Sequence, residues 1–289
     1  MVTDDAQSSL FKWVAILTGS KNALKGVGFF LGGLLLSLVG FQSSLFILAG
    51  VVLTALIVAS LLMKGDLGTA NKKAKFGQMF STNRAVNILA AARVFLFASR
   101  DVWFVVGLPV FLTTVLHWSF WQVGGFMAVW IIGYGVVQAS APGLLRRRYA
   151  SRGGAPDGVT ATWLAFMLAA FPAGIAVALM AGIDPTLVVV VGLIAFGVLF
   201  AMNSAVHSYL ILAYTDSDKV AMSVGFYYMA NACGRLGGTV LSGLLYQYSG
   251  LVGCLWACVV FTLAAGVLSR LLPSHAQHQV SLNKLGGDE

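Results

Sequence analysis

The sequence predicts an all-α membrane protein, because charged residues are few and apolar residues occur in runs long enough to cross a bilayer. Of the 289 residues, 58% are hydrophobic and 10% are charged. Soluble domains carry about 25% charged residues. A water-soluble chain of this composition would lack the polar side chains that its surface requires.

The apolar runs predict about eight membrane spans. A transmembrane helix needs about 20 predominantly apolar residues. The runs that meet this length cover residues 13–39, 43–63, 86–116, 119–142, 158–181, 184–214, 220–248 and 251–272. Glycine and proline inside them do not argue against helices, since neighbouring groups in a bilayer satisfy the freed backbone.

The loops between these spans alternate in charge. Basic residues follow the second and fourth spans, at Lys64, Lys72, Lys73, Lys75, Arg84, Arg146, Arg147, Arg148 and Arg152. The loops after the first, third, fifth and seventh spans contain no lysine or arginine. Because cytoplasmic loops carry the excess of basic residues, both termini are predicted to be cytoplasmic, at the inner (plasma) membrane. The same loops account for the net charge of +8 without a nucleic-acid partner.

The longest polar stretch divides the spans into two and six. Six spans after a basic cytoplasmic linker match one half of a major facilitator transporter, whose halves are six-helix units. We therefore predict a major facilitator fold, with a two-helix remnant of an N-terminal bundle and a six-helix C-terminal bundle. The predicted boundaries are 1–63 for the remnant, 64–85 for the linker, 86–272 for the C-terminal bundle and 273–289 for a cytoplasmic tail.

The charges inside the spans are mostly positive. A charged side chain at mid-bilayer costs about 2.5–3.5 kcal/mol, so each one requires a partner or a function. The five cations and the one clear anion are Lys21, Lys25, Arg93, Arg100, Arg235 and Asp101. This excess predicts a water-filled cavity that receives an anionic substrate. In the competing interpretation, Arg93 extends to the cytoplasmic face and another cation forms a purely structural pair with Asp101.

Asp101 is predicted to act in gating or proton coupling. No basic residue lies three or four positions away from it on its own helix. Its partner is therefore expected on another span, and Arg235 is the favoured one.

Other polar residues in the spans are weaker candidates. Asn203 lies one helical turn before His207, and Asn231 one turn before Arg235. The two amides can bind substrate oxygens, but they serve equally well in hydrogen bonds between helices. His207 can carry a coupling proton because the ordinary pKa of histidine is near neutrality. A packing role is an equal alternative for this histidine.

Small residues in the spans predict helix packing. Gly28 and Gly32, and likewise Gly234 and Gly238, have the four-residue spacing that lets helix backbones approach closely. Cys254 and Cys258 are also one turn apart; small packing residues are favoured over ligands of a soft metal.

No enzyme signature is found in the sequence. The glycine-rich run at 26–33 lies within a predicted span with no strand before it, so it fails the context of a dinucleotide loop. No cluster of His, Asp and Glu has metal-ligand spacing. The protein is therefore predicted to be no enzyme, with no cofactor and no metal site.

Four stretches of the chain resemble a known transporter family. They are FKWVAILTGSKNALKGVGFFLGG (11–33), ARVFLFASRDVWFVVGLPVFL (92–112), IGYGVVQASAP (132–142) and NACGRLGGTVLSGLLYQYSG (231–250). These stretches are similar to the organoarsenical efflux permeases of the major facilitator superfamily, the ArsJ type. The first two are more specific to that family than to the superfamily as a whole.

The resemblance implies export of 1-arseno-3-phosphoglycerate and hence arsenate resistance. That ester forms when glyceraldehyde-3-phosphate dehydrogenase, the implied functional partner, uses arsenate in place of phosphate. Transport is expected to proceed by alternating access, with proton antiport as its driving force. Members of the family have about twelve helices, so four helices are expected before this chain, and the chain alone is not expected to confer resistance.

Two other functions stay open at this stage. A permease for another phosphorylated metabolite would need the same buried cations. A non-transporting membrane scaffold derived from a transporter half would not need them, and their retention argues against it.

Overall fold

The computed structural model describes residues 4–62, 83–149, 155–215 and 220–273, and in these ranges all regular structure is helical. The helices are α1 (Asp4–Leu62), α2 (Arg84–Phe104), α3 (Gly107–Thr114), α4 (Phe120–Tyr149), α5 (Gly158–Met180), α6 (Pro185–Ala213) and α7 (Val220–Ser269). Within the described ranges, six helical segments are long and apolar enough to cross a membrane. The prediction of an all-helical, multi-pass membrane protein is confirmed at this level. Nearly all of the predicted linker and tail lie outside the described residues.

Two of the six segments are about twice as long as a bilayer requires, and each contains one glycine that is not helical. Gly40 in α1 has φ 74° and ψ 177°, and Gly250 in α7 has φ 60° and ψ −158°. Glycine adopts positive φ without the steric penalty of a side chain. Both glycines lie where the sequence predicts the ends of the first and seventh spans. Eight separate crossings and the major facilitator fold stay predictions.

The third predicted span, 86–116, corresponds to one membrane-crossing segment, Arg84–Thr114, but the helix within it is interrupted. The α2 helix ends at Phe104, and α3 begins at Gly107. Pro109 explains the interruption, because it has no N–H for the carbonyl of Val105 and its ring crowds that carbonyl in a continuous helix. The backbone N–H of Gly107 donates instead to the Ser242 hydroxyl on α7, at 3.0 Å.

The α2 helix begins two residues earlier than predicted, because Asn83 caps it. The side chain of Asn83 accepts a hydrogen bond from the backbone N–H of Ala85 at 2.9 Å. An asparagine that satisfies a free N–H in this way is a favoured start for a helix.

Glycines bring α2 and α7 into close contact. A Cβ atom on Gly234 would collide with the carbonyl oxygen of Val94, and one on Gly238 would lie 2.8 Å from the carbonyl oxygen of Ala98. The packing role predicted for this glycine pair is confirmed.

A second close contact joins α1 to α4. A Cβ atom on Gly19 would lie 2.5 Å from the carbonyl oxygen of Gly135, and one on Gly26 would lie 2.5 Å from the Ile132 side chain. The packing role predicted for Gly28 and Gly32 is not found, because an added Cβ at either position meets no described atom within 4 Å.

An aromatic core packs between α2, α4 and α6. Trp103 on α2 makes edge-on contacts with Trp130 on α4, at 5.8 Å between ring centroids, and with Phe196 on α6, at 5.3 Å. The Trp130 indole N–H donates to the backbone carbonyl of Leu193 at 2.8 Å. Because these rings are buried and closely packed, α2, α4 and α6 are held at fixed relative positions.

The loop charges also make a testable topology prediction. A single cysteine at position 117, in a variant without the three native cysteines, should react with an impermeant thiol reagent in intact cells. A single cysteine at position 74, in the predicted cytoplasmic linker, should react only after the cells are opened. His117 is exposed between α3 and α4, so access is not limited by packing. Labelling at 74 but not at 117 in intact cells would reverse the predicted orientation.

Candidate functional site

A cavity of about 340 Å³ lies between α1, α2, α4, α6 and α7. Its lining includes the five cations and the one anion that the sequence analysis singled out inside the spans, which are Lys21, Lys25, Arg93, Arg100, Arg235 and Asp101. These residues come from three separate helices, so only the packing of the helices brings them together. Five cations and one carboxylate give the lining a net charge of +4 when all are ionised.

Asp101 is the acidic centre of this lining. Its side chain is fully buried, and its Oδ2 atom accepts a hydrogen bond from Arg235 Nε at 2.9 Å. The predicted pair between Asp101 and Arg235 is therefore confirmed. Two glycines of α7 make this pair possible by letting its backbone approach α2.

Asp101 also has a second partner, which the sequence argument excluded. Its Oδ1 atom lies 2.6 Å from both Nε and Nη2 of Arg100, the preceding residue on the same helix. The expectation that every partner must come from another span is wrong. Adjacent side chains on a helix diverge at Cβ, but the long arginine side chain curves back to its neighbour. One carboxylate thus compensates two arginines.

Arg93 does not extend to the cytoplasmic face, as one interpretation of the sequence proposed. The residue is 5% exposed, and its Nη1 atom donates to the backbone oxygen and the hydroxyl of Ser204, each at 3.3 Å. Its guanidinium carbon lies 3.9 Å from the centroid of Phe97 and 4.7 Å from that of Tyr227. These contacts hold the guanidinium group inside the helix bundle.

The two lysines form the α1 side of the cavity. Lys21 Nζ lies 5.3 Å from the centroid of the Tyr228 ring on α7. The two ion pairs found among the described residues both involve Asp101, so neither Lys21 nor Lys25 has a carboxylate partner there. Both lysines are exposed, which leaves their ammonium groups available to a ligand.

A chain of polar side chains, which the sequence analysis missed, crosses the cavity wall. Asn22 Nδ2 donates to Gln138 Oε1 at 2.6 Å, and Gln138 Nε2 donates to the Ser204 hydroxyl at 3.4 Å. This chain joins α1, α4 and α6 and ends on the serine that binds Arg93. These residues could have been found in the sequence by the criterion that identified the charges, which is a polar side chain within an otherwise apolar span.

The structure does not bring Asn203 and His207 to the cavity surface. Both are fully buried, and their side-chain nitrogen and oxygen atoms have no hydrogen-bond partner among the described residues. The neighbouring Ser204 and Ser208 line the cavity instead. Successive side chains on a helix point about 100° apart. A shift of one position along α6 therefore changes which side chains face the cavity. Asn231, by contrast, lines the cavity as predicted.

Cys254 and Cys258 are buried within the hydrophobic core. The Cys258 sulfur lies 3.9 Å from the hydroxyl of Thr262, one turn later on the same helix. These positions agree with the packing role favoured for both cysteines.

No protein-family model matches the chain, and no curated protein matches it. Evidence for its function therefore comes from the cavity, and the resemblance to organoarsenical permeases stays an expectation.

Proposed function

We propose that this chain is a membrane transporter of small anions that carry phosphate or arsenate groups, with 1-arseno-3-phosphoglycerate as its exported substrate. One observation carries the proposal: a cavity among apolar helices has five cationic lining residues and one carboxylate. Placing that much unbalanced charge in a cavity among apolar, membrane-crossing helices is costly unless a ligand of opposite charge enters.

The charge of the cavity suits this substrate class. A phosphate monoester carries a charge of about −1.5 to −2 near pH 7. Two such groups, or one phosphate and one arsenate, carry a combined negative charge that nearly balances the net charge of +4 on the lining. A neutral sugar or a cationic drug would leave that charge uncompensated. The named organoarsenical comes from the resemblance, and another phosphorylated metabolite would satisfy the same cavity.

We propose that Asp101 links substrate binding to proton movement. An entering anion competes with the carboxylate of Asp101 for Arg235, whose side chain is 46% exposed. That competition joins the entry of the anion to the residue that we propose carries the coupling proton. Asp101 is a better candidate for this step than His207, because Asp101 lines the cavity. Alternating access would then expose the loaded site to either side of the membrane.

Equilibrium binding tests the proposal. The purified chain in detergent should bind radiolabelled 3-phosphoglycerate saturably, with competition by inorganic phosphate and by arsenate but not by glycerol. The variant Lys25→Gln should bind at least about tenfold more weakly, since about 1.4 kcal/mol of attraction is lost. Lys12→Gln is the matched control, because Lys12 is an exposed residue of the same helix outside the cavity lining. Equal binding of glycerol, or no binding of any phosphate ester, would refute the proposal.

A further inference from the structure

We infer that Arg93 forms a distinct subsite for one tetrahedral oxyanion group, separate from the cluster of Arg100, Asp101 and Arg235. This inference rests on the proposed function, that the cavity binds an anion. Beyond that function, we assign the phosphate or arsenate group to Arg93 and not to Arg100 or Arg235.

The first observation is the distribution of the negative charge. Both oxygens of Asp101 are occupied, one by Arg100 and the other by Arg235. Arg93 has no carboxylate partner among the described residues, although it is only 5% exposed. Taking an arginine out of water without a counter-charge is strongly unfavourable. Of the three arginines, Arg93 therefore gains most from an anion that enters the cavity.

The second observation is the set of donors that Arg93 leaves free. Both of its hydrogen bonds come from Nη1, which donates to Ser204. No bond from Nε or Nη2 to a described residue is found. Nε is shielded from solvent in this conformation, so Nη2 is the donor that an entering oxyanion reaches first. A guanidinium edge with two free N–H groups is the geometry that binds an oxyanion through two parallel hydrogen bonds.

The third observation is that this edge is held in place. The guanidinium group lies over the rings of both Phe97 and Tyr227, and Ser204 fixes its other end. Ser204 is itself positioned by Gln138 from α4. An arginine held from three helices before the ligand arrives loses little side-chain entropy on binding.

A single small molecule can contact both clusters. The guanidinium carbon of Arg93 lies 3.9 Å from the Phe97 centroid, and that of Arg100 lies 5.1 Å from the same centroid. The two carbons are therefore no farther apart than the sum of these distances. We assign the tetrahedral group to Arg93 and the remainder of the substrate to the half-exposed Arg235 and the lysines of α1.

The test compares inorganic phosphate with acetate as probes for the purified full chain. Arg93→Lys should weaken phosphate binding at least about tenfold and should reduce the preference for phosphate over acetate, because a lysine lacks the two-donor edge. Arg235→Lys should change phosphate affinity less than threefold. Arg84→Gln is the control, since Arg84 is an exposed residue of the same helix and lies outside the cavity lining. Thermal unfolding without ligand should show Arg93→Lys folded.

A second measurement needs no variant. Phosphate should raise the unfolding temperature of the unaltered protein more than acetate does at the same concentration, because a ligand that binds the folded state stabilises it. If Arg235→Lys loses phosphate binding while Arg93→Lys keeps it, the subsite is wrong and the proposed function stands. If the unaltered chain binds neither phosphate nor 3-phosphoglycerate, both fail. Tighter binding of short-chain phosphatidate than of glycerol 3-phosphate would assign the subsite to a lipid headgroup and overturn its substrate role.

Discussion

Replacing Asp101 by asparagine should strongly destabilise the protein, because it leaves two arginines without their shared counter-charge. Asp101 is fully buried and the Arg100 side chain is 9% exposed, so little water can compensate. Removing one partner of a buried ion pair costs roughly 3–5 kcal/mol. We expect a marked fall in the unfolding temperature and in the yield of monodisperse protein after detergent extraction.

Arg235→Gln should cost much less than Asp101→Asn. The Arg235 side chain is 46% exposed, and ion pairs of solvent-accessible groups contribute about 1 kcal/mol or less. Asp101 also keeps Arg100 as a partner in this variant. The expected result is near-normal yield with impaired binding of 3-phosphoglycerate.

Double variants separate the two partners of Asp101. Because Arg100 is the more buried partner, Asp101→Asn with Arg100→Gln should recover more stability than Asp101→Asn with Arg235→Gln. Neither double variant should recover binding, since each lacks a cavity arginine. Strictly additive losses in both pairs would mean that the three residues are energetically independent. In that case Asp101 would be better explained as a proton site alone.

The second large effect is expected at Gly234. An alanine there places its methyl group against the carbonyl oxygen of Val94 on α2, and backbone atoms cannot move aside as a flexible side chain can. Overpacking of this kind typically costs roughly 1–3 kcal/mol, and the backbone contact favours the upper end. The separation of α2 and α7 should also disturb the pair of Asp101 with Arg235, so both stability and anion binding should fall.

Gly237 provides the control on the same helix. An added Cβ at Gly237 meets nothing within 4 Å among the described residues. Gly237→Ala should therefore leave the unfolding temperature unchanged or slightly higher, because alanine favours a helix more than glycine does. If both alanine variants behave alike in thermal unfolding, the close approach of α2 and α7 is not what holds this region together.

The membrane character and the charged residues of the site were predictable from the sequence. The hydropathy of a segment can be read from its own residues. A segment that crosses a bilayer must also satisfy its backbone hydrogen bonds internally, which makes it a helix. A charged residue such as Arg235 is easily recognised in an apolar span, because the cost of inserting it into the bilayer depends on that residue and its position in the span. Its pairing with Asp101 was also predictable, since a lone buried carboxylate requires a cation.

Two features of the structure were not predictable in this way. One is the rotation of a helix about its axis, and the other is the position at which a helix breaks. The sequence marked Asn203 and His207, but one residue of helix rotation places Ser204 and Ser208 on the cavity instead. The break between α2 and α3 had a local signal in Pro109, yet proline also occurs inside α5 at Pro172 without ending that helix. Local sequence does not distinguish these two prolines.

The sequence by itself determined that this chain is helical, apolar and positively charged within its spans, because those properties follow from composition and insertion energy. Only the tertiary structure decided that the charges share one cavity, since they come from α1, α2 and α7 and meet through the packing of these helices. It also decided how the charge is divided. Asp101 compensates Arg100 and Arg235 because their atoms lie within hydrogen-bonding distance, and Arg93 has no carboxylate partner among the described residues.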